Sequence, residues 1–161
     1  MAELPVVLWV LFVLIAFPLM DLACAFLRIS FLYAGVHYAS ISAARTGSFS
    51  IPLDGHPSAQ GEVLTKLGNI TSGFSGLAVT NINTDIVIIR NDTMAVSKQA
   101  VPLTSPADQG INTYQIEVTA DCSADPLVPI PIPVTVSGLN APLTVRLSAK
   151  QYCENPQGLT L

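Results

Sequence analysis

The stretch PVVLWVLFVLIAFPLMDLACAFL, residues 5–27, decides the fold, because it is long and apolar enough to cross a membrane. A span needs about 20 apolar residues at a rise of about 1.5 Å each. Two residues interrupt the run. Pro18 disturbs helical hydrogen bonding, and Asp21 places a charge where hydrocarbon is expected. The run therefore indicates a membrane segment with two unusual positions.

Length and composition limit the rest of the chain. The 161 residues suffice for one membrane segment and one modest domain. Only 11% of the residues are charged, against about 25% in an average soluble domain. The net charge is −4, and the seven Lys and Arg residues are scattered along the chain. Because nucleic-acid binding needs a basic patch, we expect no nucleic-acid partner.

Three kinds of membrane segment are compatible with the run. The ACA at 23–25 is typical of a signal-peptide cleavage site, and the DLAC at 21–24 resembles a lipoprotein motif. The n-region MAELP lacks Lys and Arg, which weakens both alternatives without removing them. The third alternative, a retained membrane helix, agrees best with the sequence that follows.

Beyond Arg28 the sequence keeps a helical pattern. Apolar or small residues recur near helical spacing at Ile29, Leu32, Gly35, Val36, Ala39 and Ala43. No proline lies between residues 19 and 51, and Gly47 is a C-cap signal. The pattern predicts one helix from Pro5 to Arg45, about 60 Å long, which exceeds what a bilayer needs. Its outer half is rich in Ala, Ser and Gly, which favours close contact with another helix.

Each polar position on this helix has a predicted consequence. Pro18 should bend the helix or open its hydrogen bonding locally. Asp21 is either hydrated at the membrane interface or paired with another protein. Arg28 lies seven residues later on the same face, too far for a direct pair within one helix. If Asp21 has a protein partner, a pair between Asp21 and Arg28 of neighbouring copies is the hypothesis, and in a filament such a pair fixes the axial register. Hydration at the interface stays open as the other alternative.

The sidedness of the C-terminal part rests on conflicting signals. The positive-inside rule places Arg28 and Arg45 in the cytoplasm. Cys122 and Cys153 are the last residues of two predicted strands, which suggests a disulfide in an oxidising compartment, although two unrelated buried thiols remain the alternative. We expect the C-terminal part to lie outside the cytoplasm, with the disulfide contributing about 3–4 kcal/mol.

Residues 48–161 read as a small α+β domain that follows the helical segment 1–47. A short helix is predicted over 58–74, with Ser58 as N-cap. Its predicted apolar face consists of Val63, Leu64, Leu67, Ile70 and Phe74. Strands are predicted over 77–90, 112–122 and 142–153, because these segments alternate or are β-branched. The prolines at 126, 129, 131 and 133 restrict the intervening segment to a sheet edge or a crossing loop.

No catalytic or metal-binding constellation stands out in the sequence. His37 and His56 have no Cys, Asp or Glu at metal-ligand spacing. The GNITSGFSG segment, residues 68–76, lacks the Lys-Ser/Thr ending of a phosphate loop. We therefore expect no enzyme activity, no metal and no cofactor.

Both ends of the chain resemble the TadE/TadG-like (tight-adherence) pilus proteins. The matching features of the N-terminal helix are Glu3, Pro18, Asp21, Arg28 and the AAR at 43–45. At the C-terminus a strand leads to a Pro-Leu segment and then to a final strand that closes near Glu154, Asn155 and Pro156. The resemblance implies a pilin-like α+β fold and assembly contacts at Glu3, Pro18, Asp21, Arg28 and Arg45.

The resemblance also implies a function. The chain would be a major or minor structural subunit of a pilus or pseudopilus. Its partners would be copies of itself or related pilin subunits, the inner-membrane assembly machinery and, before assembly, membrane lipid. The alternative functions are a monomeric membrane-tethered binding module in the extracytoplasmic space and an anchored enzyme. An exposed aromatic cluster on the sheet would favour the binding module.

Overall fold

The computed structural model describes residues 3–129 and 133–161. Within these residues a long N-terminal helix is followed by one short helix and a four-stranded antiparallel sheet, which confirms the predicted α+β class. The elements in chain order are α1 (Glu3–Leu11), a π-helical turn (Phe12–Ala16), α2 (Phe17–Ala44), α3 (Ala59–Gly73), β1 (Leu77–Arg90), β2 (Val96–Gln99), β3 (Asn112–Ala124), β4 (Leu143–Tyr152) and a 3-10 helix (Pro156–Thr160).

The first three elements form one continuous helix. From Leu4 to Ala44 it is long and apolar enough to cross a membrane. The π-helical turn comes immediately before Pro18, and within it the Phe17 N–H donates to the Phe12 carbonyl, five residues earlier. Proline lacks an N–H and its ring crowds the carbonyl four residues before it, so the ladder widens at this place. The predicted local opening at Pro18 is confirmed.

The second half of α2 belongs to the core of the domain. Its buried residues include Leu32, Val36, Ala39 and Ala43, which cluster with residues of α3 and the sheet. Gly35 permits close contact with α3, since a Cβ atom there would lie 2.5 Å from Ile70 Cδ1. The small residues of this face therefore serve packing within the chain.

The short helix begins and packs largely as predicted. The Ser58 side chain accepts a hydrogen bond from the Gly61 N–H at 3.3 Å, which satisfies one free donor of the first turn. Val63 and Leu67 are buried one turn apart. Leu64 and Phe74, placed on the same face by the sequence pattern, are exposed. The buried stripe of α3 is therefore narrower than predicted.

The strands run in the order β2-β1-β3-β4, and each neighbouring pair is antiparallel. In β3, Tyr114, Ile116 and Val118 are buried among the core residues that α2 and α3 contribute. In β4, Leu143, Val145 and Leu147 pair with Ala124, Cys122 and Ala120 and so share the helix-covered face. The predicted alternation of both strands is confirmed.

A β-bulge explains why the apolar residues of β1 occupy odd positions in its first part and even positions in its second part. The register with β3 shifts between Thr80 and Asn83, and Asn81 has a φ of 49°. Before the bulge Val79 pairs with Cys122, and beyond it Ile86 pairs with Ile116. Cys122 and Ile116 face the same way because they are six residues apart on β3. The bulge therefore lets odd positions before it and even positions after it reach one core.

The short edge strand β2 was not predicted from the sequence. Its four residues, VSKQ, are mostly exposed and carry no apolar alternation. It pairs with β1 through a turn after Arg90, where the Arg90 N–H donates to the Ala95 carbonyl at 2.9 Å. Pairing with a long neighbouring strand, rather than its own pattern, defines this element.

The predicted disulfide between Cys122 and Cys153 is wrong, because the structure leaves both thiols free. Cys122 pairs with Val145 near one end of the β3–β4 ladder, whereas the Cys153 N–H bonds the Tyr114 carbonyl at the other end. Eight residues of strand separate Tyr114 from Cys122, about 26 Å at 3.3 Å per residue, and a disulfide needs Cα atoms within about 7 Å. In antiparallel neighbours the C-terminal ends of the two strands lie at opposite ends of the ladder. Two cysteines that each end a strand are therefore far apart.

Candidate functional site: the long helix and its junction with the domain

The first part of the long helix extends beyond the domain. Its apolar side chains between Leu4 and Met20 are largely exposed, with Trp9 at 66% and Leu14 at 69%. Seventeen residues span about 25 Å of helix, close to the thickness of a bilayer core. By length and composition this segment is a candidate membrane span. Glu3 begins α1, and the assembly contact expected for its side chain lies outside the part of the chain that the structure describes.

Asp21 lies where the exposed helix enters the domain. The residue is 1% exposed, and its Oδ1 accepts a hydrogen bond from the Val128 N–H at 3.0 Å. Its Oδ2 has no hydrogen-bond partner within residues 3–129 and 133–161. From the sequence, the expected partner of Asp21 is water at the interface or another protein. The structure instead gives this carboxylate a backbone donor from the segment that follows β3.

Arg28 contacts the same segment two helical turns further on. Its guanidinium donates to the Asp125 carbonyl oxygen. The close approach depends on Gly76, where φ is 74° and a Cβ atom would lie 3.2 Å from Arg28 Nη1. Asp21 and Arg28 are the two charged residues between Leu4 and Ala44. Both are thus directed onto the chain's own loop.

Arg45 occupies the opposite end of α2. Its Nε lies 2.9 Å from Glu154 Oε1 in an exposed ion pair. The Glu154 N–H also donates to the Ala44 carbonyl at 2.9 Å and so satisfies one of the free carbonyls that end the helix. Glu154 therefore fastens the C-terminal segment to the end of α2. The residues of the predicted assembly set that can be described thus lie in three places along the helix, not in one cluster.

The face of α2 that points away from the sheet is apolar as well. Its residues follow one another at alternating spacings of four and three, and we call them the outer stripe: Leu27, Phe31, Ala34, Tyr38 and Ile41. Leu27, Phe31 and Tyr38 are 62%, 56% and 53% exposed. Spacing of four and three residues is the pattern by which one helix packs along another. The inner face of α2 was predicted from the sequence, but this second face was not, although its spacing of four and three residues is present in the sequence.

Side chains of α3 border the outer stripe. The rings of Phe31 and Phe74 stack with their centroids 5.7 Å apart. The Lys66 ammonium lies 5.3 Å from the centre of the Tyr38 ring. Further along, Tyr33, Ala34, His37, Tyr38 and Ile41 line an apolar groove of about 370 Å³. These contacts hold the aromatic side chains in place while leaving their outer surfaces uncovered.

The other sheet face carries charge at its centre. Glu117 is 5% exposed and accepts a hydrogen bond from Ser148 Oγ at 2.9 Å. It also forms ion pairs with Lys98 and Lys150. Burial raises the pKa of Glu117, but the hydrogen bonds from Lys98 and Ser148 and the lysine charges outweigh it, so its pKa is lowered. This network of ion pairs and hydrogen bonds links β2, β3 and β4, and it forms no aromatic binding surface.

A polar cleft of about 480 Å³ lies beside the C-terminal end of α2. It is lined by Ser42, Arg45, Thr46, Gly47, Ser48, Leu53, Asp54, His56, Pro57 and Glu62. Within the described ranges, no group of three His, Cys, Asp or Glu side chains is arranged to hold a metal ion. His37 lies elsewhere, with its Nε2 3.2 Å from Gln151 Nε2. The expectations of no enzyme activity and no cofactor stay predictions from the sequence.

Comparison with family models, with curated proteins and with solved structures gave no match. The resemblance to the tight-adherence pilus proteins therefore stays a prediction from residues at the two ends of the chain. In the structure, a long apolar helix leaves one face uncovered along much of its length.

Proposed function

We propose that the protein is a structural subunit, major or minor, of an extracellular pilus or pseudopilus, and that it assembles through the exposed face of its N-terminal helix. One observation carries this proposal. The uncovered apolar surface runs from Leu4 to Tyr38, which is longer than a membrane can cover. The resemblance to TadE/TadG-like proteins points to the same class of function.

The length of the helix sets how much of it lipid can bury. A hydrocarbon core of about 30 Å accommodates about 20 helical residues, so a span that begins at Leu4 ends near Ala23. Phe26, Leu27, Phe31 and Tyr38 lie beyond that limit and are each more than half exposed. Contiguous apolar surface outside the bilayer marks a site of protein contact. A tether that only anchors a domain has no need of it.

The outer stripe suits a second helix of the same kind. It holds no charged residue, because Asp21 and Arg28 are turned onto the loop after β3. Helices that start in the same membrane with the same orientation lie parallel, and the four–three spacing of the stripe lets such helices interlock. We therefore take copies of this chain, or related subunits with a similar helix, as the partners. Insertion and extraction of the span require membrane lipid and an assembly machinery in the inner membrane.

The proposal places the C-terminal domain outside the cytoplasm. A filament that leaves the cell draws its subunits from the outer side of the membrane, so the domains have to reside there before assembly. A disulfide no longer supports this location, because the cysteines are free. This location opposes the weak topological signal of Arg28 and Arg45. We note that both arginines are engaged by Asp125 and Glu154 in the folded domain.

A charge within the outer stripe tests the proposal. Ala34 is exposed, so Ala34→Glu alters the stripe without disturbing the core. Leu64 on α3 is 58% exposed and lies outside the stripe, which makes Leu64→Glu the matched control. We expect cells carrying Ala34→Glu to yield at least tenfold fewer sheared filaments, with normal amounts of the subunit in the membrane. Leu64→Glu should leave the filament yield close to that of the wild type.

The monomeric tethered module predicts a different result. If the wild-type protein stays in the membrane fraction as a monomer and Ala34→Glu changes nothing, the structural-subunit proposal fails. The outer stripe would then have to bind an unlike partner, and the protein would act as a tethered binding module.

A further inference from the structure

The segment after β3 has an unusual surface for a loop. We call residues 125–129 and 133–142 the junction loop; residues 130–132 lie outside the described part of the chain. Four of its apolar side chains are exposed: Leu127, Val128, Val134 and Val136, at 50%, 51%, 66% and 37%. Surface loops are normally polar, so four exposed aliphatic side chains in one loop suggest an apolar environment.

Contacts with α2 fix the level of the junction loop along the helix. Val128 is tied to Asp21 through its N–H, and Asp125 is tied to Arg28 through its carbonyl. Gly138 packs beside Leu22, since a Cβ atom there would lie 3.5 Å from Leu22 Cδ2. The loop thus lies beside residues 21–28 of the helix, and a span of about 20 residues from Leu4 ends at the same level.

The second half of the junction loop is ordered by its own hydrogen bonds. Asn140 Oδ1 accepts from the Val136 N–H at 2.7 Å, and Asn140 Nδ2 donates to the Val134 carbonyl at 2.9 Å. Gly138, with a φ of 85°, donates its N–H to the Ala141 carbonyl at 2.8 Å. Val134 and Val136 are therefore held at the surface by a closed turn.

We propose that the junction loop enters the interfacial layer of the bilayer, so that the domain rests on lipid through Leu127, Val128, Val134 and Val136. The bilayer is the occupant because the loop is attached to the helix at Asp21 and Leu22, the level at which the exposed span ends. Proline suits such a position, since Pro126, Pro129 and Pro133 bring no N–H group that would lose its water.

The same arrangement gives Asp21 a function. An ionisable group at the membrane boundary is costly unless it has a partner, and the loop supplies one through the Val128 N–H. Asp21 in turn holds the loop against the helix at the level of the lipid. Two contacts with the membrane, the span and the loop, then fix the inclination of the domain. The inference concerns the free subunit and does not depend on assembly into a filament.

Tryptophan quenching by brominated lipid tests the inference. In a Trp9→Phe background, single tryptophans are introduced as Val134→Trp, Leu127→Trp and, as a control, Leu64→Trp on the exposed surface of α3. The full-length variants are reconstituted in phosphatidylcholine vesicles that carry bromine on acyl carbons 6 and 7. Wild-type protein, with Trp9 within the span, serves as the depth reference in vesicles brominated at carbons 11 and 12.

We expect the fluorescence of Val134→Trp and Leu127→Trp to fall at least twofold in brominated vesicles, with emission shifted to shorter wavelength. Leu64→Trp should be quenched by less than a fifth. Two loop positions are used so that a local disturbance at one of them does not decide the result. If Trp9 is quenched while neither loop position is, the loop stands clear of the lipid and the inference is overturned.

Discussion

Glu117 shows at the scale of one residue how the sheet accommodates a buried charge. It lies on the central strand, opposite Asp85 on β1 and Lys150 on β4. Like charges directly opposite each other destabilise a sheet, and the lysines on both sides offset this. The alternation of β3 placed Glu117 correctly on the polar face. Its burial was not predictable, because it depends on Lys98 from the unpredicted strand β2.

Replacing Glu117 should make the stability less dependent on pH. Because its pKa is lowered in the folded state, its ionised form stabilises the fold above about pH 5, and this contribution is lost as the pH falls through the lowered value. We expect Glu117→Gln to cost about 1–2 kcal/mol at pH 7 and less at pH 3, because a larger share of the carboxylate is protonated at the lower pH. Urea unfolding in detergent, followed by circular dichroism at both pH values, measures the difference.

The matched control for this experiment is Glu154→Gln. Its ion pair with Arg45 is exposed on both sides, so the loss should stay below about 1 kcal/mol. An equal loss for Glu117→Gln at pH 7 and pH 3 would contradict the assigned role of the ionised carboxylate.

The three cysteines give a second test at the residue scale. Burial raises the pKa of Cys122 to about 11 and also raises the pKa of Cys153. We expect unreduced protein, unfolded in guanidinium, to take up three iodoacetamide groups by mass spectrometry. In the folded protein at pH 8, Cys122 should react at least tenfold more slowly than after unfolding, because few of its thiols are ionised and the side chain is covered. Uptake of only one iodoacetamide group by the unfolded protein would show that two of the cysteines form a disulfide and would contradict this prediction.

At the scale of elements, α2 is a helix with two apolar faces. The helical spacing of α2 predicts its inner face, and the small residues there predict close contact with another helix. In the structure this face packs on α3 and on the sheet of the same chain. The sequence of α2 alone does not distinguish a helix that packs on its own domain from one that packs on a neighbour. The glycine at position 35 illustrates this, because the close contact it permits is with Ile70 of α3.

The elements that neighbouring residues define were predicted from the sequence, and the elements that depend on distant residues were not. The bounds of α3 and β1 were predicted within a residue or two, since caps and β-branched runs are written in adjacent residues. The bulge at Asn81, the strand β2 and the contacts of Asp21 were not predicted. Each of these depends on a partner that is distant in the sequence. The long helix of the candidate site was therefore predictable, but the contacts of Asp21 and Arg28 with the loop after β3 were not.

Loss of the Asp21 carboxylate should loosen the junction loop. In Asp21→Ala the Val128 N–H loses its acceptor, a change of about 1–2 kcal/mol, or roughly tenfold in opening. We expect hydrogen exchange over residues 125–129 to accelerate about tenfold in detergent micelles, while exchange in β3 and β4 is unchanged. Asp21→Asn keeps an acceptor oxygen and should exchange much more like the wild type. Unchanged exchange in Asp21→Ala would show that the hydrogen bond does not hold the loop.

At the scale of the whole molecule, the chain combines a span, a junction and a domain along one helix. The span requires lipid or other helices around it. The junction loop fixes the domain to the helix near the membrane surface, and Glu154 fixes it again at the far end. A domain held at both ends of α2 moves with the helix as one body, so the outer stripe keeps its orientation when subunits are drawn together.

Cryo-electron microscopy of material sheared from cells, with sequencing of the protein in it, tests the central claim most directly. The account predicts helical filaments in which the helices Leu4–Ala44 form a core, with Leu27, Phe31 and Tyr38 buried between neighbouring subunits and Asp21 still bound to Val128 of its own chain. The account is contradicted if the protein is absent from sheared filaments and remains monomeric in the membrane, or if filaments form with the outer stripe exposed to solvent.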